Sequence, residues 1–478
     1  MSGLVSLRYC GVFIMVVRSL CFVVMAALTQ VAAAATSTPA VIVKQAQAAL
    51  ERATSSDGPG AVILIARGDQ IIYRAARGSA QIELGVPLQA NQTFRIASIT
   101  KMFTAALVVK LAQLGKLSLD DKLATYVPGI ANGEVITLRQ LLNHTAGVSD
   151  IVNDPQPGFF ARKVDTATLI AEIKKREPSF PPGTRFAYSN AGYILLGAVI
   201  EKVTGKPWQD ALRATLLEPL DLKETGYGDN ARIVPRRVAG YTTDNADHHV
   251  ENASYINASV PAAAGALVST ANDLLHWMRA LAQGKVVGRD GFKQMTTAVA
   301  NVPGASTHPY GFGMYIWQVR GNEMVGHTGQ IDGFASALAY LPKQDISVVV
   351  LANDDNFDAR TMARRVAAIT LGQPYAIPVA VKPTDDQLRA LEGVYRVDDA
   401  TTETLSIKDG QLYSQRSKHH AVPLALTVDQ RLYFVPDELS YFTPVRDASG
   451  KVVRLDYFEG GDGPAQSMSR VVGDATPH

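Results

Sequence analysis

The chain has 478 residues, with 46 Lys or Arg against 44 Asp or Glu and a net charge of +2. Hydrophobic residues make up 47% and charged ones 19%. This balance excludes a largely disordered chain and a polybasic nucleic-acid binder, and the length allows two or three domains at about 100–200 residues each.

Residues 1–35 contain Arg8 and Arg18 and no acid. The apolar run Leu20–Leu28 follows, and then the small residues Ala32 to Ala35. Charge, apolar run and small side chains in this order predict a secretory signal peptide, and with it a secreted or periplasmic chain. The alternative is a membrane anchor, with Arg18 inside the span at a cost of about 2.5–3.5 kcal/mol near its centre. Cys10 and Cys21 both fall in this segment, so the exported chain would hold no disulfide and no thiolate.

The next elements read as mixed α and β. Ala40–Ala53 predicts a helix, and Gly60–Ala66 with Gln70–Ala76 a hairpin. Ser98–Leu114 shows a helical apolar face ended by Gly115. Thr137–Asn143, Ala167–Lys175, Asn190–Thr204, Pro207–Leu217 and Ala271–Ala282 predict further helices. Four strands are expected at Tyr310–Val319, Glu323–Gly326, Gly333–Leu341 and Ile346–Ala352, with a closing helix over Phe357–Leu371. This order implies one antiparallel sheet built from both ends of the domain, with helices on both faces. Pro374, Pro378 and Pro383 then mark a spacer. Beyond Leu388 the periodicity is two, with seven or eight short strands that suggest a small sandwich or barrel. The expected boundaries are 1–35 for the signal, 36–375 for the α/β domain, 376–387 for the linker and 388–478 for the all-β domain.

The chemistry begins at Arg95-Ile96-Ala97-Ser98-Ile99-Thr100-Lys101. Side chains at i and i+3 on a helix are neighbours, with Cβ atoms about 5–6 Å apart. A serine hydroxyl needs a base beside it, and a helix N-terminus and burial both disfavour an ammonium. A neutral Lys101 could therefore take the Ser98 proton, while free N–H groups at the helix start bind an oxyanion. Ser-x-x-Lys alone is common by chance. Tyr188-Ser189-Asn190, however, stands just before a predicted helix, with Tyr188 and Asn190 on one side of an extended segment. His327-Thr328-Gly329 follows a predicted strand, where Gly329 permits close backbone approach. The plainer alternatives are a buried tyrosine and a hairpin corner with a surface histidine. His144 reads as a loop-holding histidine, Asp332 as a turn residue and Trp317 as core or cleft wall. His248-His249 and His419-His420 are adjacent pairs rather than i, i+4 ligands, so no metal and no cofactor are expected. No Gly-x-Ser-x-Gly, Gly-Lys-Ser/Thr or His-Glu-x-x-His motif occurs.

These three motifs in this order resemble those of the serine β-lactamase and penicillin-binding-protein superfamily. The tyrosine form of the second motif is similar to that of class C β-lactamases, D-alanyl-D-alanine carboxypeptidases, D-aminopeptidases and related esterases. Leu141-Leu142-Asn143-His144-Thr145-Ala146-Gly147 also resembles this branch, and the likeness covers about residues 40–375. It implies a β-lactamase-like α/β fold. Ser98 would be the acylated nucleophile, Lys101 its proton partner and Tyr188 the general base. Asn190 would bond Lys101 or a substrate amide, and His327, Thr328 and Gly329 would line the opposite wall. The N–H groups of Ser98 and Gln330 would form the oxyanion hole. Two positions depart from the pattern. His327 replaces the lysine usual in β-lactamases, and Gln330 stands where serine or threonine is often found, which leaves carboxylate recognition open. Without a class A deacylating glutamate, water activation would fall to Tyr188 or to the substrate. Leu391-Glu392-Gly393-Val394-Tyr395 resembles the opening strand of a lipocalin-like barrel, which could shape the cleft, hold subunits of a homo-oligomer together or bind an apolar ligand. The expected function is a secreted hydrolase of a D-amino-acid peptide, of the D-alanyl-D-alanine carboxypeptidase kind. The alternatives are a β-lactamase or carboxylesterase, and a non-catalytic penicillin-binding sensor or scaffold. The expected partner is a small-molecule or peptide substrate, without nucleic acid.

Overall fold

The computed structural model describes residues 38–151, 158–244, 249–299, 309–398, 401–417, 419–435 and 437–471. The expected signal segment, both cysteines, residues 152–157 and His248 lie outside these residues.

Helix α1 (Pro39–Ala53) starts on a proline and buries the stripe Ile42, Ala46 and Leu50. Strands β1 (Ala61–Arg67) and β2 (Gln70–Arg77) form the predicted hairpin. Helix α2 (Thr100–Gln113) is buried along nearly its whole length. Around it lie α3 (Asn190–Thr204), the short α4 (Ala262–Gly265) and α5 (Ala271–Ala282), where Phe103 stacks on Trp277 at 4.0 Å. The strands β3 (Tyr315–Val319), β4 (Asn322–Ile331), β5 (Phe334–Leu341) and β6 (Ile346–Ala352) make a meander, closed by α6 (Ala359–Thr370).

The sheet runs β3-β4-β5-β6-β1-β2, so β1 pairs β6 and joins the two ends of the domain, as the element order implies. The two-residue period of β1 sends Val62 and Leu64 toward α2, α3 and α5, and Ile63 and Ile65 toward α1 and α6. Both faces are covered, which accounts for the near-continuous apolar runs of β1 and β6.

Four expectations change. The helix predicted from Ser98 begins as a 3₁₀ turn, Ala97–Ile99, and becomes α-helical only at Thr100. The strand predicted from Tyr310 starts at Tyr315, because Gly313 turns the chain at φ +70° against the Lys101 carbonyl. His327-Thr328-Gly329 lies inside β4 rather than after a strand, since pairing with β5 continues to Ile331↔Phe334. Helix α7 (Asp385–Leu391) spans the expected linker end, with a capping box between Thr384 and Gln387.

Beyond α7, eight strands close into an antiparallel barrel: β7 (Gly393–Arg396), β8 (Thr402–Lys408), β9 (Gln411–Arg416), β10 (Val422–Leu426), β11 (Leu432–Phe434), β12 (Tyr441–Arg446), β13 (Val452–Phe458) and β14 (Gln466–Arg470). Tyr395↔Arg470 pairing closes it, through a last strand that the periodicity does not reveal. Tyr395, Leu405, Leu412, Leu424, Phe442, Leu455 and Met468 fill its interior. The barrel docks on α6, where Arg364 bonds Asp462 at 3.0 Å and Arg365 bonds Glu438 at 3.1 Å. Leu439 of the barrel joins the apolar cluster of α1 and α6. Among the described residues no helix is long and apolar enough to cross a membrane.

Candidate active site

The chain reaches Ser98 through Phe94–Arg95, paired with Leu267–Ser269. Ala97 then adopts φ +45°, a conformation costly for a residue with a Cβ. Its neighbours enforce it. Ile96 N–H donates to Leu267 O (3.1 Å), and Ser336 Oγ donates to Ile96 O (3.0 Å). Gly329 makes room for this: a Cβ there would stand 2.3 Å from Ile96 O and 2.5 Å from Ser336 Oγ. The third motif therefore lies directly against the turn that presents Ser98.

Lys101, one helical step on, is 0% exposed. Its Nζ donates to Ser98 Oγ (3.0 Å), Asn190 Oδ1 (2.7 Å) and Ala264 O (2.8 Å). Burial pulls its pKa down to about 7, opposed by the Asp150 carboxylate. Near neutrality the amine thus exchanges readily between a form that donates to Ser98 and a form whose lone pair can accept the Ser98 proton.

Ser189 caps α3, its Oγ accepting from Gly192 N–H at 3.2 Å, and this sets Tyr188 and Asn190 on either side of the helix start. Asp150 Oδ2 accepts from Asn190 N (2.7 Å) and Nδ2 (3.0 Å), which turns Asn190 Oδ1 toward Lys101. The Tyr188 ring centre lies 4.8 Å from Lys101 Nζ, and the Ser98 side chain acts on its hydroxyl in favour of ionisation. Burial holds the Tyr188 pKa well above the ordinary phenol value, so it is a phenol at neutral pH. His144 props this segment: its Nδ1 accepts from Ser189 N–H at 3.1 Å, and its ring packs 4.4 Å from Tyr188. Burial keeps it neutral.

His327 is 1% exposed. Its Nε2 pairs with the Tyr310 hydroxyl at 3.0 Å and its Nδ1 with the Thr328 carbonyl. Burial and Lys101 hold its pKa at about 3. It is a neutral ring directed into the protein. Thr328 is half-buried, and Gln330 is exposed with Nε2 donating to Asp355 O at 2.8 Å. Trp317 stacks on Tyr315 at 5.3 Å within the core between β3 and α6. His419 and His420 are exposed.

Ser98 and Asn190 open onto a cavity of about 340 Å³ whose other walls are mainly Ile151, Phe160, Ile194, Ile256, Val260, Gln330, Ile331 and Asp332. A second cavity, about 680 Å³, lies between α3 and the 223–236 segment around Trp208 and Tyr227 and touches none of the motif residues. Among the described residues no group of three or more His, Cys, Asp or Glu could hold a metal ion. Asp150, Ser336, Tyr310 and Tyr315 escape the sequence reading, because none sits at motif spacing.

The β-lactamase family model matches residues 43–371. Penicillin-binding protein 4* of Bacillus subtilis (strain 168) is 26% identical over 379 residues, covering 73% of this chain and 82% of its own. A D-stereospecific amidohydrolase from Streptomyces sp. superposes with TM-score 0.59 at 31% identity, over 66% of this chain and 94% of its own. The D-amino acid amidase from Ochrobactrum anthropi SV3, complexed with D-phenylalanine, superposes with TM-score 0.62 at 25% identity, over 69% and 98%. With Ser98 and Asn190 opening onto one cavity, Gly329 packed against the turn that presents Ser98, and the family model spanning residues 43–371, the chain belongs to the β-lactamase family of serine hydrolases.

Proposed function

We propose that this chain is an exported hydrolase that cleaves an amide of a D-amino acid through an acyl-enzyme on Ser98. The observation that carries this reading is the buried Lys101 amine, which bridges Ser98 Oγ, Asn190 Oδ1 and Ala264 O. Neutral Lys101 takes the Ser98 proton as Oγ attacks the substrate carbonyl carbon. The N–H groups of Ser98 and Gln330 receive the oxyanion. Tyr188, a phenol rather than a standing phenolate, gives its proton to the leaving nitrogen and regains one from Lys101. Water enters by the reverse path, its proton returning through Tyr188 and Lys101 while the ester to Ser98 breaks. Asn190 steadies the amine, and the His327–Gln330 strand forms the facing wall.

Export rests on the composition of residues 1–35. The D-amino-acid substrate is supported by the amidohydrolase and amidase among the similar structures. Release of a C-terminal D-alanine, the narrower carboxypeptidase form, finds less support, because among the described residues the cavity walls contain no cationic side chain. The test is intact mass of the mature protein after incubation with a penicillin or an aryl ester, beside Ser98→Ala, followed by turnover of a β-lactam, an ester and a D-amino-acid amide. An adduct or turnover that vanishes in Ser98→Ala is expected. Equal activity in that variant would overturn the reading.

A further inference from the structure

The cavity beside Ser98 is built mainly from apolar side chains, among them Ile151, Phe160, Ile194, Ile256 and Val260. Its polar walls are mostly committed. Asn190 is held between Lys101 and Asp150, and the Gln330 amide donates to Asp355 O. Among the described residues Asp332 is the only charged one in the lining. It stands at the apex of the two-residue turn between β4 and β5, next to Gly333 at φ +83°. Among the described residues no side chain forms an ion pair with it. Arg95, whose charge acts on it, donates to Ile256 O at 3.0 Å and lies outside the lining. The Asp355 carboxylate, its acidic neighbour, is occupied by Thr242 Oγ1 and Gly333 N–H. On the facing strand, where a lysine would offer a cation to a substrate carboxylate, His327 is neutral and turned inward. Among its described residues the cavity therefore presents an apolar wall, a nucleophile and one carboxylate without an ion-pair partner.

Resting on the acyl-enzyme reading above, we propose that Asp332 binds the free ammonium of the residue whose carbonyl Ser98 attacks, so that the cavity accepts amino-terminal residues with apolar side chains and not peptides that end in a carboxylate. Asp332 is then a specificity residue that touches substrate but takes no part in proton transfer. The turn that displays it is short and flanked by the pair Ile331↔Phe334, where β4 meets β5.

The experiment uses the wild-type mature chain on D-phenylalaninamide, N-acetyl-D-phenylalaninamide and N-acetyl-D-alanyl-D-alanine, with a neutral aryl ester as gauge of Ser98. N-acetylation should lower kcat/KM by about 10- to 100-fold, the range of a hydrogen bond to a charged group. The loss should appear mainly in KM. Asp332→Asn should narrow the ratio between amine and N-acetyl substrates toward one, and Asp332→Glu should keep most of it. Because the substrate comparison is made on the wild type, a misfolded variant does not remove the test. Ester turnover together with equal rates on the amine and N-acetyl amides, or with preference for N-acetyl-D-alanyl-D-alanine, overturns the Asp332 proposal and leaves the acyl-enzyme reading standing. Absence of any Ser98 adduct or ester turnover overturns both.

Discussion

Asp150→Asn keeps the size of the side chain and removes its charge. Asp150 Oδ2 accepts two hydrogen bonds from Asn190, at 2.7 and 3.0 Å. A bond to a charged group contributes about 1.5–3 kcal/mol and a neutral one about 0.5–1.5, so converting both costs about 2–3 kcal/mol. The electrical effect is separate. The carboxylate holds the Lys101 pKa up against burial. Across the Asn190 amide the two charges stand about 6 Å apart, where unit charges interact by about 0.7 kcal/mol in water and about 2.8 kcal/mol at an effective dielectric of about 20. That corresponds to about 0.5–2 pKa units. In the proposed mechanism Lys101 reacts as the neutral amine, so Asp150→Asn should move the acid limb of kcat/KM down from about 7, the pKa held in the intact site. The plateau should fall at the same time, because Asn190 loses its orientation. The assay is a pH profile of aryl-ester hydrolysis for both proteins across the neutral range. An acid limb that stays in place, or that moves up, would refute the assignment of Lys101 as the group that must lose its proton.

Lys101 should also leave a mark on stability. Between about 7 and its ordinary 10.5 the unfolded chain holds a proton that native Lys101 has released. Stability therefore rises with pH through this window, by up to about 1.4 kcal/mol per unit, and is lost as pH falls to about 7. Urea melts of wild type and Lys101→Met should diverge across the window, and parallel curves would sink the argument. Gly329→Ala forces a methyl to within 2.3 Å of Ile96 O, so β4 must back away from Ser98. A shift of about 1 Å can cost about 100-fold in rate; kcat/KM should drop by that order while the fold survives, and an unchanged rate would contradict the packing. Asp462→Asn removes the charge that pairs with Arg364, whose side chain is 6% exposed. Breaking such a buried pair costs about 3–5 kcal/mol, so calorimetry should record a clear fall in melting temperature; an unchanged melt would mean that the barrel is not held through α6.

Local chemistry was legible in the chain. Asn190–Thr204 and Ala271–Ala282 have their predicted limits because their caps, Ser189 and Thr270, and their apolar stripes lie within a few residues of each other. Ser98, Lys101, Tyr188 and Asn190 could be named because their spacing follows from one helix and one helix start. The last barrel strand was not legible, because Gln466–Arg470 is mostly exposed and carries one buried side chain, Met468. It becomes a strand only by closing against β7 and β13. Asp150 and Ser336 were missed for a related reason: each acts through a partner 40 or 240 residues away, at no local spacing.

Side-chain type and short-range periodicity specify which groups can do chemistry, which elements carry them and the order in which they enter the sheet. Tertiary structure alone decided their protonation and their reach. Lys101 sits near a pKa of 7 because α2, α3 and α4 exclude water from it and Ala264 O, 163 residues away, accepts from it. His327 is neutral and faces inward because Tyr310 and Thr328 hold both its nitrogens. Burial and long-range contact set the free energy of a charge, and neither can be read from neighbouring residues in the chain.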